Sequence, residues 1–246
     1  MALEVLRTTV LGRDVRLYVD PHVFTPTLTT SVLTNQVDLA RLKGSTVLDL
    51  GCGTGPIAIG LALAGAAHVF AIDLMEQACE LARRNAELNG VAAQVTVLQG
   101  DLFQPVADRQ FDLIVDDVSG VAEDVARLSS WFPSEVPSGG FDGTRQTVRM
   151  VKASPRHLKP NGYLLFPVLS LSKTAAIVSV ARDAYGAGLQ CVVTKRVPFN
   201  AQLKSNIDVL ARLKESGVID FDQVRSRHFW TLDIFRAENS NLPERA

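Results

Sequence analysis

The chain has 246 residues, of which 47% are hydrophobic and 21% are charged, and its formal net charge is −1. This composition is ordinary for one globular α/β domain with a small addition, and the lack of a basic excess disfavours a nucleic-acid substrate. The three cysteines fit neither a metal site nor a disulfide framework, and the longest apolar stretch, Ile57–Ile72, is too short and interrupted to span a membrane. We therefore expect a cytoplasmic protein without a membrane partner.

In chain order, residues 1–26 are predicted to form an N-terminal hairpin extension. Its two short strands are Leu6–Leu11 and Val15–Val19, joined at Gly12-Arg13-Asp14. Residues 28–42 then place apolar side chains at roughly helical spacing, which predicts a helix. The remainder, 27–246, is predicted to be one domain.

Strands and helices alternate strictly through most of this domain. The predicted strands are Thr46–Leu50, His68–Ile72, Val95–Gln99, Leu113–Val115 and Tyr163–Val168. The predicted helices are Pro56–Ala64, Met75–Leu88, Thr147–His157 and Lys173–Ala187. Mostly apolar strands in this order predict an α/β fold with a doubly wound, mostly parallel sheet.

The last two strands break the alternation. Gln190–Arg196 and Phe229–Arg236 are predicted to pair antiparallel at one end of the sheet. A helical insertion near 201–222 separates them, with its helix over Ala201–Ser216. This insertion is either a lid or contact surface, or a plain connector.

The strongest chemical signal is a glycine-rich turn at the end of the strand Thr46–Leu50. Gly51, Gly53 and Gly55 alternate between this apolar strand and the next helix. Glycine is needed where a backbone turns sharply and approaches a ligand closely. Asp49, in the strand, either fixes the loop by accepting backbone N–H bonds or contacts a cofactor directly.

Acidic residues follow the next two strands. Asp73 comes about 20 residues after the glycines, where a carboxylate can bind both ribose hydroxyls of a nucleotide, and Leu74 follows it. Asp101 can accept from an adenine amino group, and Leu102 can pack on the ring. Since ligands of open α/β sheets lie at the carboxyl ends of strands, these residues are predicted to bind one cofactor.

The spacing of the glycines separates two cofactors. The dinucleotide fingerprint G-x-G-x-x-G of NAD enzymes requires a third glycine where this sequence has Pro56. The run G-x-G-x-G after Asp49 instead resembles motif I of class I methyltransferases dependent on S-adenosyl-L-methionine (SAM). In that resemblance Asp73 matches the ribose-binding acid and Gly100-Asp101-Leu102 the adenine-binding turn. It implies a Rossmann-like methyltransferase domain with SAM as cofactor.

Over roughly residues 20–200 the sequence also resembles the HemK/PrmC-like methyltransferases. The segments that carry this resemblance are Val23–Pro26, Phe111–Val115, Val136–Gly143 and Leu158–Leu165. The resemblance implies an enzyme that methylates glutamine amides on proteins.

One motif departs from that family. After the fourth strand the family has Asn-Pro-Pro-Tyr, whereas this sequence has Asp116-Asp117-Val118-Ser119-Gly120, with Asp117 in the place of the Asn. A carboxylate at Asp116 or Asp117 can accept a proton from, or orient, an amine or a hydroxyl, and Ser119 can donate a hydrogen bond. These three residues are the predicted catalytic residues; the alternative is that they are solvated residues of a strand end and turn.

Trp131 and Phe141 lie in the stretch expected to overhang the pocket, where they either stack on the acceptor or anchor the loop. The leading hypothesis is methyl transfer to N or O of a small-molecule or unusual protein acceptor. A second hypothesis is protein-glutamine methylation, and a third is a subunit that binds SAM without catalysing transfer.

Overall fold

The computed structural model describes residues 5–118 and 120–239, and the first described elements form an antiparallel hairpin. Strands β1 (Val5–Val10) and β2 (Arg13–Tyr18) make a two-stranded sheet of their own. Both turn residues, Leu11 and Gly12, have positive φ (53° and 70°), the geometry that matches the twist of a tight hairpin. The predicted hairpin is confirmed, and its turn begins earlier than expected because Leu11 leaves the strand.

The hairpin packs on the rest of the protein. Val15 and Leu17 are buried in the same apolar cluster as residues of the main sheet. The buried Asn85 side chain accepts from the Tyr18 N–H (2.7 Å) and donates to the Tyr18 carbonyl (3.0 Å). Its amide also donates to the Thr54 carbonyl at 2.9 Å. One side chain therefore links the hairpin to the glycine turn.

The main sheet follows the predicted topology. Its strands are β3 (Thr46–Leu50), β4 (His68–Asp73), β5 (Val95–Gln99), β6 (Phe111–Asp116), β7 (Leu158–Leu169), β8 (Leu189–Pro198), β9 (Asp222–Val224) and β10 (Arg227–Glu238). The order is β5-β4-β3-β6-β7-β10-β8, with β9 paired to β10. Pairing is parallel from β5 to β7 and antiparallel where β10 joins β7 and β8. The expected antiparallel end of a mostly parallel sheet is confirmed.

Helices cover both faces of this sheet. They are α1 (Leu28–Thr34), α2 (Leu39–Leu42), α3 (Pro56–Leu63), α4 (Glu76–Leu88), α5 (Glu123–Arg127), α6 (Arg145–Ala153), α7 (Thr174–Tyr185), α8 (Ala201–Ser205) and α9 (Ile207–Glu215). Adjacent strand residues such as Leu164 and Leu165 enter different apolar clusters, which explains why the strands are apolar throughout. No helix within residues 5–118 and 120–239 is long and apolar enough to cross a lipid bilayer.

The single helix expected over residues 28–42 is divided. Helix α1 ends at Thr34, and α2 begins after Asp38, whose carboxylate accepts from the backbone N–H groups of Ala40 and Arg41. The apolar spacing continued through this break, but an aspartate that caps a new helix favours a non-helical backbone at its own position.

The helix expected over residues 201–216 is also two helices, α8 and α9. They are divided at Asn206, which has φ −112° and ψ 24°. Leu203, Leu210 and Leu213 are buried against the central apolar cluster. Both helices are thus packed on the core.

Candidate cofactor and acceptor site

A cleft opens at the carboxyl ends of β3, β4, β5 and β6, where open α/β sheets bind ligands. The empty volume within the cleft is about 1220 Å³, including the part that is open to solvent. Its floor is formed by residues that directly follow these strands, within 51–53, 73–75, 100–102 and 117–118. Its walls come from residues between 24 and 30, which lead into α1, and from residues between 131 and 137. The space admits a nucleoside-sized cofactor together with the group that reacts with it.

Each of the three glycines of the predicted turn has a left-handed backbone conformation. Gly51, Gly53 and Gly55 have φ of 75°, 51° and 84°, a region that side chains with a Cβ rarely adopt. Gly51 and Gly53 line the cleft, whereas Gly55 is the N-cap residue of α3. A Cβ on Gly53 would lie 3.0 Å from the Phe24 carbonyl oxygen, so this wall approaches the turn closely.

Asp49 lies beneath the turn. It is fully buried, and its Oδ2 accepts from the Ala58 N–H of α3 at 3.0 Å. Burial raises the pKa of this carboxyl well above its usual range, and the charge of Asp117 adds to the effect. Asp49 does not line the cleft. The geometry favours the first role considered for it, fixing the loop through a backbone bond.

Asp73 ends β4 and faces the cleft. Its Oδ2 accepts from the Gly53 N–H and its Oδ1 from the Met75 N–H, both at 2.9 Å. Burial raises its pKa, against the lowering effect of these backbone bonds. Because an ionised carboxylate has about four lone-pair sites, each oxygen can still accept from a ligand. Leu74, with 46% of its surface exposed, lines the cleft beside it.

Asp101 and Leu102 line the neighbouring part of the cleft after β5. Arg149 of α6 binds the Asp101 carboxylate with both terminal nitrogens (2.7 and 3.2 Å), and this hydrogen bonding raises the pKa of the guanidinium. Leu102 adopts φ 51°, a left-handed conformation that turns the chain back under the cleft. The ion pair therefore fixes this turn to α6.

Asp116 and Asp117 face opposite sides of the sheet, as neighbours in an extended chain do. The Asp116 side chain is 1% exposed, and neither of its oxygens has a hydrogen-bond partner among the described residues. Burial, with the charge of Asp117 nearby, raises the pKa of the Asp116 carboxyl well above its usual range. It does not line the cleft. Of the two carboxyl groups, only that of Asp117 reaches the cleft.

Asp117 is the polar centre of the cleft floor. Its Oδ2 accepts a hydrogen bond of 2.9 Å from the Thr30 hydroxyl of α1. Burial raises the pKa of this carboxyl to about 6, and the Thr30 bond opposes that rise. The group is therefore mostly ionised at neutral pH and changes its charge just below it. Ser119, the third predicted catalytic residue, lies outside the described residues.

Aromatic rings form part of the cleft walls. Trp131 lines the cleft together with Phe24 and Phe132. The rings of Phe24 and Phe132 meet edge to face with centroids 5.0 Å apart, so the two walls touch. Phe141 is 68% exposed and is not among the residues that line the cleft.

Phe24 and Thr30 are among the cleft residues to which the sequence assigned no role. The carbonyl of Phe24 accepts from the Thr54 N–H (3.3 Å), which joins this wall to the glycine turn. The Thr27-x-x-Thr30 pattern is a signal for the start of α1. That the Thr30 hydroxyl reaches a residue 87 positions later depends on the packing of α1 against β7 and β10, which no local pattern reports.

The charge of the cleft suits a cation. Its charged lining side chains, within the described part of the chain, are the carboxylates of Asp73, Asp101 and Asp117. SAM carries a sulfonium cation and a ribose with two hydroxyl groups, and Asp73 retains lone pairs for those hydroxyls. Phosphate groups would be repelled by the same carboxylates. The residues present therefore fit SAM.

The start of α3 offers few hydrogen-bond donors to the pyrophosphate of a dinucleotide. Pyrophosphate binding at a helix N-terminus relies on free backbone N–H groups. Here Pro56 has no N–H, and the Ala58 N–H already donates to Asp49. Pro56, which replaces the third glycine of the NAD fingerprint, thus leaves the start of α3 with fewer free N–H groups for a pyrophosphate.

Known proteins resemble this chain in sequence and in fold. The family model of ribosomal protein L11 methyltransferase (PrmA) matches residues 26–141. A release factor glutamine methyltransferase of Gloeobacter violaceus is 32% identical over 205 residues, covering 80% of this chain and 70% of the relative. A ribosomal protein uL3 glutamine methyltransferase of Bradyrhizobium diazoefficiens is 38% identical over 124 residues, covering 48% of this chain and 39% of the relative. The solved structure of the T. thermophilus 16S rRNA N2 G1207 methyltransferase (RsmC) aligns with a TM-score of 0.62 at 17% identity, covering 97% of this chain and 51% of that one.

Fold, glycine turn and relatives define the class: this is a SAM-dependent methyltransferase of class I. The chain belongs to the HemK/PrmC-type family of that class, as its similarity to the Gloeobacter relative establishes. The predicted enzyme class and SAM as the cofactor are confirmed. The chain spans about half the length of several other curated relatives that it matches.

Proposed function

We propose that this methyltransferase acts on a nitrogen atom that arrives as a protonated amine, and that Asp117 takes the proton. The proposal rests on the Asp117 carboxylate, which lines a cleft whose other charged lining groups, among the described residues, are also carboxylates. Such a cleft attracts an ammonium group, and removing its proton frees the nitrogen lone pair for attack. Burial in the cleft lowers the pKa of the ammonium, and this opposes the rise that the nearby carboxylates cause. SAM supplies a methyl group already activated on a sulfonium centre.

For the cofactor side, we assign the ribose hydroxyls to Asp73 and the adenine to the turn at Asp101 and Leu102. Leu74 and Leu102 supply apolar surface to the ring, and Asp101, held by Arg149, accepts at its edge. The cleft-lining backbone of the glycine turn approaches the rest of the cofactor.

For the acceptor side, we assign the apolar contacts to Phe24, Trp131 and Phe132. An aromatic face binds an ammonium group through its negative quadrupole, and this attraction grows when water is excluded. A carboxylate and aromatic rings in one cleft therefore select a cation with an apolar stem. This acceptor is a small-molecule amine or an amine carried by a protein.

A second acceptor, a glutamine side-chain amide on a protein, is favoured by the names of the two curated relatives. Asp117 would then accept a hydrogen bond from the amide N–H instead of a proton. The segment after β6 has Val118 and Gly120 where the family has a proline and the tyrosine, and so supplies no aromatic stacking from those positions.

The deciding experiment supplies methyl-labelled SAM to the protein in a cell extract and separates labelled products by size. Total acid hydrolysis of the product then distinguishes the two acceptors. A methylated amine survives hydrolysis, whereas an N-methylated amide releases methylamine. A labelled, acid-stable amine supports the proposal. Release of labelled methylamine from a glutamine-bearing peptide would replace it with the second acceptor, and binding without any labelled product would indicate a subunit that does not catalyse transfer.

Replacing Asp73 with alanine should weaken SAM binding by ~1.5–3 kcal/mol, because the ribose hydroxyls lose a charged acceptor. The backbone N–H groups of Gly53 and Met75 also lose their partner. Isothermal titration calorimetry with SAM and S-adenosylhomocysteine measures the loss, with NAD as the control ligand. Tight NAD binding without a SAM signal would contradict the assignment.

The acid side of the pH–rate profile should follow Asp117. Its folded pKa of about 6 means that the carboxylate is available above that pH and is lost by protonation below it. With SAM saturating, kcat/KM should therefore fall about tenfold per unit as the pH drops below about 6. A flat profile between pH 5 and 7, in protein that circular dichroism shows to be folded, would exclude this carboxylate as the base.

A further inference from the structure

We infer that Thr30 is a positioning residue, which orients the Asp117 carboxylate through the hydrogen bond from its hydroxyl. The inference rests on the proposed role of Asp117 and adds a residue that acts through it. Thr30 is 4% exposed, and its hydroxyl donates to Asp117 Oδ2 at 2.9 Å across 87 residues of sequence. The contact joins the first turn of α1 to the residue that follows β6.

The start of α1 fixes the direction of this hydrogen bond. The Thr27 N–H donates to the Thr30 hydroxyl oxygen (3.2 Å), so that oxygen already serves as an acceptor. The Thr27 hydroxyl in turn accepts from the N–H groups of Thr29 (3.1 Å) and Thr30 (3.4 Å). The Thr27 and Thr30 hydroxyl oxygens are also 3.5 Å apart, so the carboxylate, at 2.9 Å, is the nearer partner for the Thr30 proton. Because an ionised carboxylate can only accept, the Thr30 hydroxyl is the donor.

Two consequences follow for Asp117. Its Oδ2 is held toward α1, so Oδ1 is the oxygen left to meet an acceptor in the cleft. The bond also stabilises the ionised form, which lowers the pKa against the large rise caused by burial. Without it, the pKa would rise further, and a smaller fraction of the carboxylate would be ionised and able to take a proton near neutral pH.

If Thr30 had a purely structural role, a different pH–rate profile would be expected for its variants. If the side chain only anchored α1 to the sheet, its loss would lower the unfolding temperature and leave the pH–rate profile of the folded enzyme in place. The position of the acid limb of that profile is therefore the diagnostic quantity.

The test compares Thr30→Val, which keeps the shape and loses the hydroxyl, with Thr30→Ser, which keeps the hydroxyl. Thr30→Val should move the acid limb of kcat/KM upward by about one to two pH units, the effect of one hydrogen bond to a charged group. Thr30→Ser should restore the original limb. Thr29→Val is the matched control, since Thr29 lines the same cleft and its hydroxyl does not bind Asp117. SAM affinity should stay close to that of the unmodified protein in all three variants.

An acid limb that stays in place in folded Thr30→Val would overturn the inference, as would an equal shift in Thr29→Val. If Thr30→Val does not fold, Thr30→Cys replaces it, because a thiol is a much weaker donor of similar size. The proposed function fails separately: Asp117→Asn would then keep full activity. An Asp117→Asn variant that loses activity, beside an unshifted Thr30→Val, would remove the role of Thr30 alone.

Discussion

Replacing Asp117 with asparagine should lower kcat at pH 7 by about 10²–10⁴-fold, the usual contribution of a positioned general base. The substitution keeps the size and planarity of the side chain and still offers Thr30 an oxygen, but it removes the charge that we propose accepts the proton. SAM affinity should change little, because the ribose and adenine are assigned to Asp73 and to the turn at Asp101. Single-turnover transfer of labelled methyl, with calorimetry on the same sample, separates the two quantities.

Asp116→Asn is the matched control for that variant. It alters the adjacent position, but Asp116 is buried and does not line the cleft, and burial raises its pKa, which favours the uncharged form. An uncharged side chain of similar shape should therefore leave turnover near its original level. Full activity in Asp117→Asn would show that the charge has no part in the reaction. An Asp117→Asn protein that gains activity on a glutamine-bearing peptide would instead show that this position selects the acceptor.

The second large effect is expected at the glycine turn, where Gly53→Val should abolish SAM binding. At φ 51° a β-branched residue is strained, and its Cβ would lie 3.0 Å from the Phe24 carbonyl oxygen. The backbone N–H of Gly53, which holds Asp73 Oδ2 in place, would be displaced with it. Both the turn and the wall beside it must then shift. Calorimetry with SAM measures the loss.

Gly90→Val provides the comparison for Gly53→Val. Gly90 has a similar left-handed φ of 71°, but a Cβ there meets nothing within 4 Å, and it does not line the cleft. Both variants carry the backbone strain of ~1–2 kcal/mol, and only one should lose the cofactor. Equal retention of SAM by the two variants would place the cofactor away from this turn.

The parallel part of the fold could be predicted because each strand and helix carries its own local pattern. Apolar strands alternating with helices permit few topologies, and the glycines at 51, 53 and 55 mark backbone that only glycine adopts readily. The cofactor side of the cleft depends on these local features and on the rule that ligands bind at the carboxyl ends of strands. These features could therefore place Gly51, Gly53, Asp73 and Asp101 around one cleft, where the structure has them, and their contacts with SAM stay a prediction.

The acceptor side depends on contacts between distant segments. Whether Asp116 or Asp117 faces the cleft is decided by which face of the sheet each occupies at the end of β6, and a shift of one residue would exchange them. The bond from Thr30 to Asp117, for example, crosses 87 residues. Such partners come from helix packing, and hydrophobic periodicity does not specify them.

The side chain of Asn85 joins the N-terminal hairpin to the glycine turn, which has a consequence for shortened forms of the domain. It satisfies both backbone groups of Tyr18 and the carbonyl of Thr54, and it is fully buried. A shortened protein that began after β2 would leave part of this amide unpaired in the interior, at ~1–3 kcal/mol for each group. Residues 5–18 do not line the cleft, yet they support the glycine turn through Asn85. Engineering that trims or transplants this domain must therefore carry residues 5–18 along with the catalytic sheet.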